Sequence, residues 1–251
     1  MHSRGRASSF ETHGGRALAL FFTLPLGACI TSVPVAQGAG SPSSARSSSV
    51  GPSLSECPAG TIDDLEDGNS QITTNEGRGG YWYTYSDSMG TTVAPEDEFV
   101  PSSGGANRSA KAAHIWGKTG DQKNVWAGMA FPLTNPKQSY DASKYRGIAF
   151  WARRGEKSTA YVYLRVPDVN TTPDGGVCKD CFNDFGANVQ LTPHWKKYTF
   201  PFDMLKQEPG WGEPRPHIVP GQIYELQWQI KTRNVDFDVW VDEVAFVGCD
   251  G

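Results

Sequence analysis

The chain has 251 residues, 23 Lys and Arg against 27 Asp and Glu, and a formal net charge of −4. A mild acid excess argues against nucleic acid as a partner, since phosphate binding rests on clustered basic side chains. The length fits a leader plus one large β domain better than several small domains.

Arg4, Arg6 and Arg16 precede the apolar run "ALALFFTLPL". That run is too short to span a bilayer as a stable helix and fits the apolar core of a secretory signal. Leu26-Gly27-Ala28-Cys29 then resembles the lipobox of bacterial lipoproteins. The resemblance implies that residues 1–28 are a signal peptide, cleaved before Cys29, and that the Cys29 thiol is acylated. Ile30 follows where lipoproteins kept at the inner membrane carry Asp, so outer-membrane or cell-surface sorting is expected. The membrane is then met through the lipid alone. Residues 29–56 are rich in Ser, Gly, Pro and Ala and cannot bury enough surface to offset their ordering entropy. They read as a flexible tether, with the folded domain at 57–251.

Cysteine usage agrees with export. With Cys29 assigned to the lipid, four remain: Cys57, Cys178, Cys181 and Cys249. An even number suits an oxidising compartment. Cys57 and Cys249 bracket the domain, and their pairing requires the two chain ends to lie side by side. Cys178 and Cys181 form "CKDC" in a loop. Zinc would need four ligands, and His114, His194 and His217 are scattered. A redox motif would need a helix start. A local disulfide is the expectation.

Within the domain no stretch keeps a 3.6-residue apolar period. Short β-branched and aromatic segments recur instead between Gly, Pro, Asn and Asp clusters. The pattern predicts strands near 61–65, 81–85, 110–116, 125–131, 146–153, 159–166, 186–191, 195–201, 223–230 and 236–247, with one helical turn at "FDMLKQ". In "TAYVYLRV", Val162, Leu164 and Val166 share one face, and Tyr161, Tyr163 and Arg165 the other. In "YELQWQIK", Leu226, Trp228 and Ile230 oppose Gln227, Gln229 and Lys231. The fold class is all-β, an antiparallel β-sandwich of jelly-roll type. In "DFDVWVDEVAF" the acids Asp236, Asp238 and Asp242 share a face with Trp240, and Glu243 breaks the alternation. A bulge near 242–243 is expected. Pairing of this strand with "TIDDLEDG" would bring Cys57 to Cys249 and converge Asp64, Glu66 and Asp242.

The opening "IDDLEDG", central "YRGIAFWARRG" and closing "VWVDEVAFVG" resemble the galactose-binding-like jelly rolls among carbohydrate-binding modules, nearest to family 11. The likeness runs over most of 60–248, and the "GGVCKDCFNDF" loop stands outside it. It implies binding of a polysaccharide or other glycan without catalysis. It also implies a structural Ca²⁺ where the first and last strands meet, with Asp64, Glu66 and Asp242 as candidate ligands; solvated edge-strand acids are the alternative.

A sugar offers apolar C–H faces to aromatic rings, and its hydroxyls need carboxylate, amide and guanidinium partners. One sheet face could supply both through Tyr161, Tyr163, Arg165, Gln227 and Gln229, joined by His114 and Trp116, with Asp168, Asn183, Asp184 and Trp211 on the rim. Trp151, Trp195, Trp228 and Trp240 are expected in the core, and "YWYTY" as a loop anchor, with a binding role as its alternative. Two other readings stay open. A glycoside hydrolase or lyase would need paired carboxyls about 5–5.5 Å apart, or a Lys/Tyr/Arg site. Asp236, Asp238, Asp242 and Glu243 have the wrong spacing for the first. An envelope or adhesion protein would use the sheet face for protein partners.

Overall fold

The structure, a computed structural model, describes residues 54–249. The expected signal peptide at 1–28, the expected acylation of Cys29 and the expected tether at 29–56, as far as residue 53, lie outside the described residues.

Twelve strands form two antiparallel sheets: β1 (Glu56–Asp63), β2 (Tyr83–Ser86), β3 (Thr92–Ala94), β4 (Ser102–Ser103), β5 (Lys111–Lys118), β6 (Ala127–Pro132), β7 (Gly147–Arg154), β8 (Tyr161–Val166), β9 (Phe185–Gln190), β10 (Lys196–Pro201), β11 (Glu225–Ile230) and β12 (Asp236–Val247). One sheet has the order β10-β7-β12-β5-β3, with β1 on β12 and β4 on β5; the other runs β2-β6-β11-β8-β9. The predicted sandwich is present. β1 begins at Glu56, one residue ahead of the boundary read from composition, and β3 and β4 are additions. The turn expected at "FDMLKQ" is a 3-10 turn at Phe202–Met204.

Alternation decides which side chains meet between the sheets. Val162, Leu164 and Val166 of β8 and Leu226, Trp228 and Ile230 of β11 are buried. Facing sheets pack about 10 Å apart, so large rings must interdigitate. Trp82 sits among Phe99, Phe131 and Trp228 at centroid distances of 5.4, 4.5 and 5.5 Å. It, and not the three other tryptophans expected inside, shares the core with Trp228. Trp151, Trp195 and Trp240 are half-buried instead, because period two turns them to the outer face of the seven-stranded sheet.

β12 is the hinge of the topology. β5 pairs with its first half and β1 with its second, while β7 pairs along both. The expected bulge is present: the β12–β7 register shifts between Asp242 and Ala245, and Glu243 takes φ +45°. The extra residue lets Val241 and Val244 both enter the core. The β1–β12 register is also irregular. The buried Arg78 satisfies two β1 carbonyls, donating from Nη2 to Ala59 O (3.0 Å) and Thr61 O (2.8 Å). The antiparallel ends carry the Cys57–Cys249 disulfide, with Cα atoms 5.8 Å apart, and Cys178 is bonded to Cys181.

The acids named for Ca²⁺ do not converge. Glu66 Oε1 accepts from Ser109 Oγ, Ala110 N and Lys111 N at 2.7, 2.8 and 2.9 Å. Asp242 is buried, with Oδ2 accepting from Ala106 N and Oδ1 from Glu243 N, both at 2.7 Å. These two carboxylates staple one hairpin loop to the terminal strands. Asp64 is exposed, its Oδ1 accepting the Glu66 N–H at 3.3 Å. Among the described residues no group of three or more His, Cys, Asp or Glu is arranged to hold a metal ion.

Candidate functional site

The outer face of the five-stranded sheet is built by register. Tyr83, Ala130, Gln227, Arg165 and Gly186 form one row across β2, β6, β11, β8 and β9; Tyr85, Gly128, Gln229, Tyr163 and Asn188 form the next. Directly paired residues share a face. Small residues stand beside the large ones at Ala130 and Gly128 of β6 and at Gly186 of β9, and these positions sink the floor.

Two glycines set how the tyrosines lie. A Cβ added to Gly128 would stand 2.6 Å from Tyr85 Oη and 2.7 Å from its Cζ. One added to Gly186 would stand 2.7 Å from Tyr163 Cζ. Both rings therefore lie down over bare backbone. Gly128→Val is expected to lift the Tyr85 ring into the groove. Overpacking of this kind costs about 1–3 kcal/mol, to be read as a lower denaturation midpoint and, if the groove binds a ligand, as weaker binding. A variant with wild-type stability and binding would show that the ring does not rest there.

The loop before β6 and the loops at 167–184 and 205–215 complete a groove of about 1100 Å³. Trp126, Tyr83, Phe182 and Trp211 line it and are exposed, Trp126 by 38% and Trp211 by 47%. Asp87 anchors the first wall, accepting the Trp126 N–H at 2.7 Å. Asn183 clamps the opposite wall: its Nδ2 donates to Glu208 O (2.8 Å) and Trp211 O (2.6 Å), and its Oδ1 accepts the Glu208 N–H (3.0 Å).

The polar floor is bonded to itself. Arg165 is paired with Asp184 and also donates to Phe182 O at 2.9 Å. Lys137 bridges Glu225 and Asp174, the latter at 3.0 Å. Lys231 pairs with Glu208. Tyr83 donates to Glu225, as does Gln227 Nε2 at 2.9 Å. Burial, with Glu225 beside it, pushes the Tyr83 hydroxyl above its ordinary range, so Tyr83 is a neutral donor. Burial also raises Asp184, and the Arg165 guanidinium works against that rise.

Of the residues the sequence put forward, Tyr163, Arg165, Asp184, Trp211, Gln227 and Gln229 line this groove, and so does Asn183. Tyr163 is not an open platform. It is 6% exposed, with Gly186 under one face and Lys231 Nζ 3.6 Å from its centroid. Tyr161 is 56% exposed at the strand end and does not line the groove. Asp168 is buried in its own turn, accepting the Val219 N–H at 2.8 Å. His114 and Trp116 lie on the other sheet. Sequence reasoning missed Trp126, Phe182, Glu208 and Glu225, and read Tyr83 and Tyr85 first as a loop anchor, with binding second. Period two in "YWYTY" and "YELQWQIK" carries Tyr83, Tyr85 and Glu225; the wall residues have no such signal.

No protein-family model and no curated protein matches the sequence. Solved structures do. A family 11 carbohydrate-binding module of a cellulosomal cellulase from Clostridium thermocellum is 16% identical, with TM-score 0.52, over 79% of this chain and 97% of that one. A family 11 module from the same organism, solved with a β-1,3-1,4-mixed-linked tetrasaccharide, is 15% identical (TM-score 0.51, 72% and 96% covered). A family 30 carbohydrate-binding module is 14% identical (TM-score 0.50, 72% and 95% covered). At these identities the likeness is one of fold: the chain has the jelly-roll sandwich of family 11 and family 30 carbohydrate-binding modules.

Proposed function

We propose that the chain binds a polysaccharide strand in this groove without cleaving it. The domain would act as an exported module, held at the outer membrane or cell surface by the lipid on Cys29 and the tether after it. One observation carries the reading: open aromatic faces stand on both walls of a floor whose charged groups are already paired. Such a floor meets hydroxyl groups through Gln227, Gln229, Tyr83 and Tyr85 without stranding a charge when water leaves. The groove's acids serve as partners, Glu225 to Tyr83, Gln227 and Lys137, Asp184 to Arg165 and Glu208 to Lys231. That arrangement favours holding over hydrolysis.

The described residues 54–249 belong to one compact unit, and a chain of residues 49–251 suits a polysaccharide array, run with calcium and again with chelator, beside a reducing-sugar assay. Binding without product release is the expected result. Product release would make the chain an enzyme, and silence across the array would sink the glycan reading in favour of protein partners. A loss confined to chelator would show that a bound cation supports binding, directly or through stability. Trp126→Ala and Trp211→Ala should each weaken the array-selected glycan about tenfold, near 1.4 kcal/mol. Calorimetry reads this, with thermal midpoints unchanged because both rings are exposed.

A further inference from the structure

The outer face of the seven-stranded sheet lies across the sandwich from the groove. β5, β12 and β7 align His114 with Trp240 and Trp240 with Arg153, and Trp195 stands just before β10 beside them. The His114 ring stacks on Trp240 with centroids 3.6 Å apart and planes 13° from parallel. Arg153 lies 4.1 Å from the Trp240 centroid and 5.2 Å from that of Trp195. These rings spend their faces on one another, so the column itself offers no platform.

Its last member does. Trp116 lies 4.7 Å from His114, tilted by 31°, and is 46% exposed. On its far side the cross-strand neighbour is Ala94 of β3, whose methyl group leaves the indole uncovered. Among the described residues Trp116 alone is an exposed large apolar side chain within the strands of this sheet. Folding does not favour an indole left open to water. The column nevertheless fixes it from behind, so little further ordering is needed when something lands on it.

The surroundings choose the visitor. Asp238, paired with Trp116, accepts from Trp240 Nε1 at 2.7 Å and lies 3.0 Å from His114 Nε2, all through Oδ1. Lys118, Asp236 and Thr92 complete a polar rim. A stable protein interface takes about 800 Å² from each partner around an apolar centre, and a lone indole ringed by charges is far smaller. A pyranose matches it, with a C–H face for the indole and hydroxyls for the rim.

We infer that Trp116 is a second glycan contact, so that the domain holds one strand in the groove and touches another on its opposite face. This rests on the glycan reading of the groove. A single ring contact is weak, in the millimolar range, and acts through avidity on polymers.

The test is NMR of ¹⁵N-labelled residues 49–251, with the Trp116 indole N–H assigned through Trp116→Phe. The probes are mixed-linkage β-glucan, cellulose, xylan and galactan oligosaccharides. At millimolar probe the Trp116 resonance should move, and should still move in the Trp126→Ala/Trp211→Ala variant. Trp116→Ala should leave the oligosaccharide affinity of the groove unchanged and weaken retention on the insoluble polymer about five- to tenfold. Groove resonances that move while Trp116 stays still would overturn the inference and leave the groove reading intact. If neither moves with any probe, the groove reading fails and this inference with it. A Trp116 shift that follows protein concentration without sugar would make the face a self-association surface and also overturn it.

Discussion

Between pH 4 and pH 8 the domain is expected to lose on the order of 4 kcal/mol of stability through Asp63 alone. Asp63 is buried at the end of β1, with Oδ2 accepting from Trp82 Nε1 at 2.7 Å and Oδ1 from Leu65 N at 3.2 Å. Burial outweighs both bonds and raises its carboxyl to about 7. In the unfolded chain an Asp ionises near 4. Below that pH the group is neutral in both states and its contribution is fully present. Between about 4 and 7 the unfolded state releases a proton that the native state keeps, so stability falls as pH rises; above 7 the loss is complete. Asp242, raised to about 6 by burial, acts in the same direction over a narrower window. Urea midpoints at pH 5, 6, 7 and 8 read the slope. Asp63→Asn keeps an acceptor for Trp82 and does not titrate, so it should flatten much of the curve. The same slope in wild type and variant would mean that Asp63 is ionised in the native state at neutral pH.

That a terminal-strand acid lies buried beneath the sheet was only half visible in the sequence. "TIDDLEDG" and "DFDVWVDEVAF" announce acid-rich strands, and cysteine positions tie them together. Which acid turns inward depends on the register irregularities of β1 and the bulge at Asp242. A shift of one residue exchanges the two faces, so Asp63 and Asp242 are buried while Asp64 faces water. The long strands were legible because period two survives in them: Val162, Leu164 and Val166 need no tertiary context to be read as one face. β3 and β4, three and two residues long, are too short to show a period and exist only because β5 offers them an edge.

The site divides the same way. Its floor is strand, and Arg165, Gln227 and Gln229 could be placed on it from alternation alone. Its walls are loop. Trp126 faces the groove because Asp87 holds its backbone, and Trp211 because Asn183 clamps two carbonyls beside it. Those contacts join residues 28 and 39 positions apart, beyond any local pattern. Alternation also cannot say which sheet a face belongs to. His114, Trp116 and Trp240 obey the same rule as Tyr163 and Arg165, yet they line the opposite side of the molecule.

The second large effect concerns the disulfide that joins β1 to β12. Removing it as the Cys57→Ser/Cys249→Ser pair should cost about 5 kcal/mol, because it closes nearly the whole domain into one loop, with a sequence separation of 192. The Cys178–Cys181 bond, with a separation of 3, restricts the unfolded chain far less, by roughly 2 kcal/mol on the same reasoning. The two bonds therefore separate stability from local shape. Loss of the first frees β1, whose hold on the sheet is an irregular ladder with β12, and with it the carbonyls that Arg78 satisfies and the burial of Asp63. Unfolding midpoints should fall steeply, and amide exchange should rise first along β1. Loss of the second should lower the midpoint by less than half as much and alter the groove wall that carries Phe182 and Asn183. Denaturation and exchange of both variants, measured side by side, check this. A Cys57/Cys249 variant within about 1 kcal/mol of wild type would mean that β1 is held by the sheet and Arg78 alone.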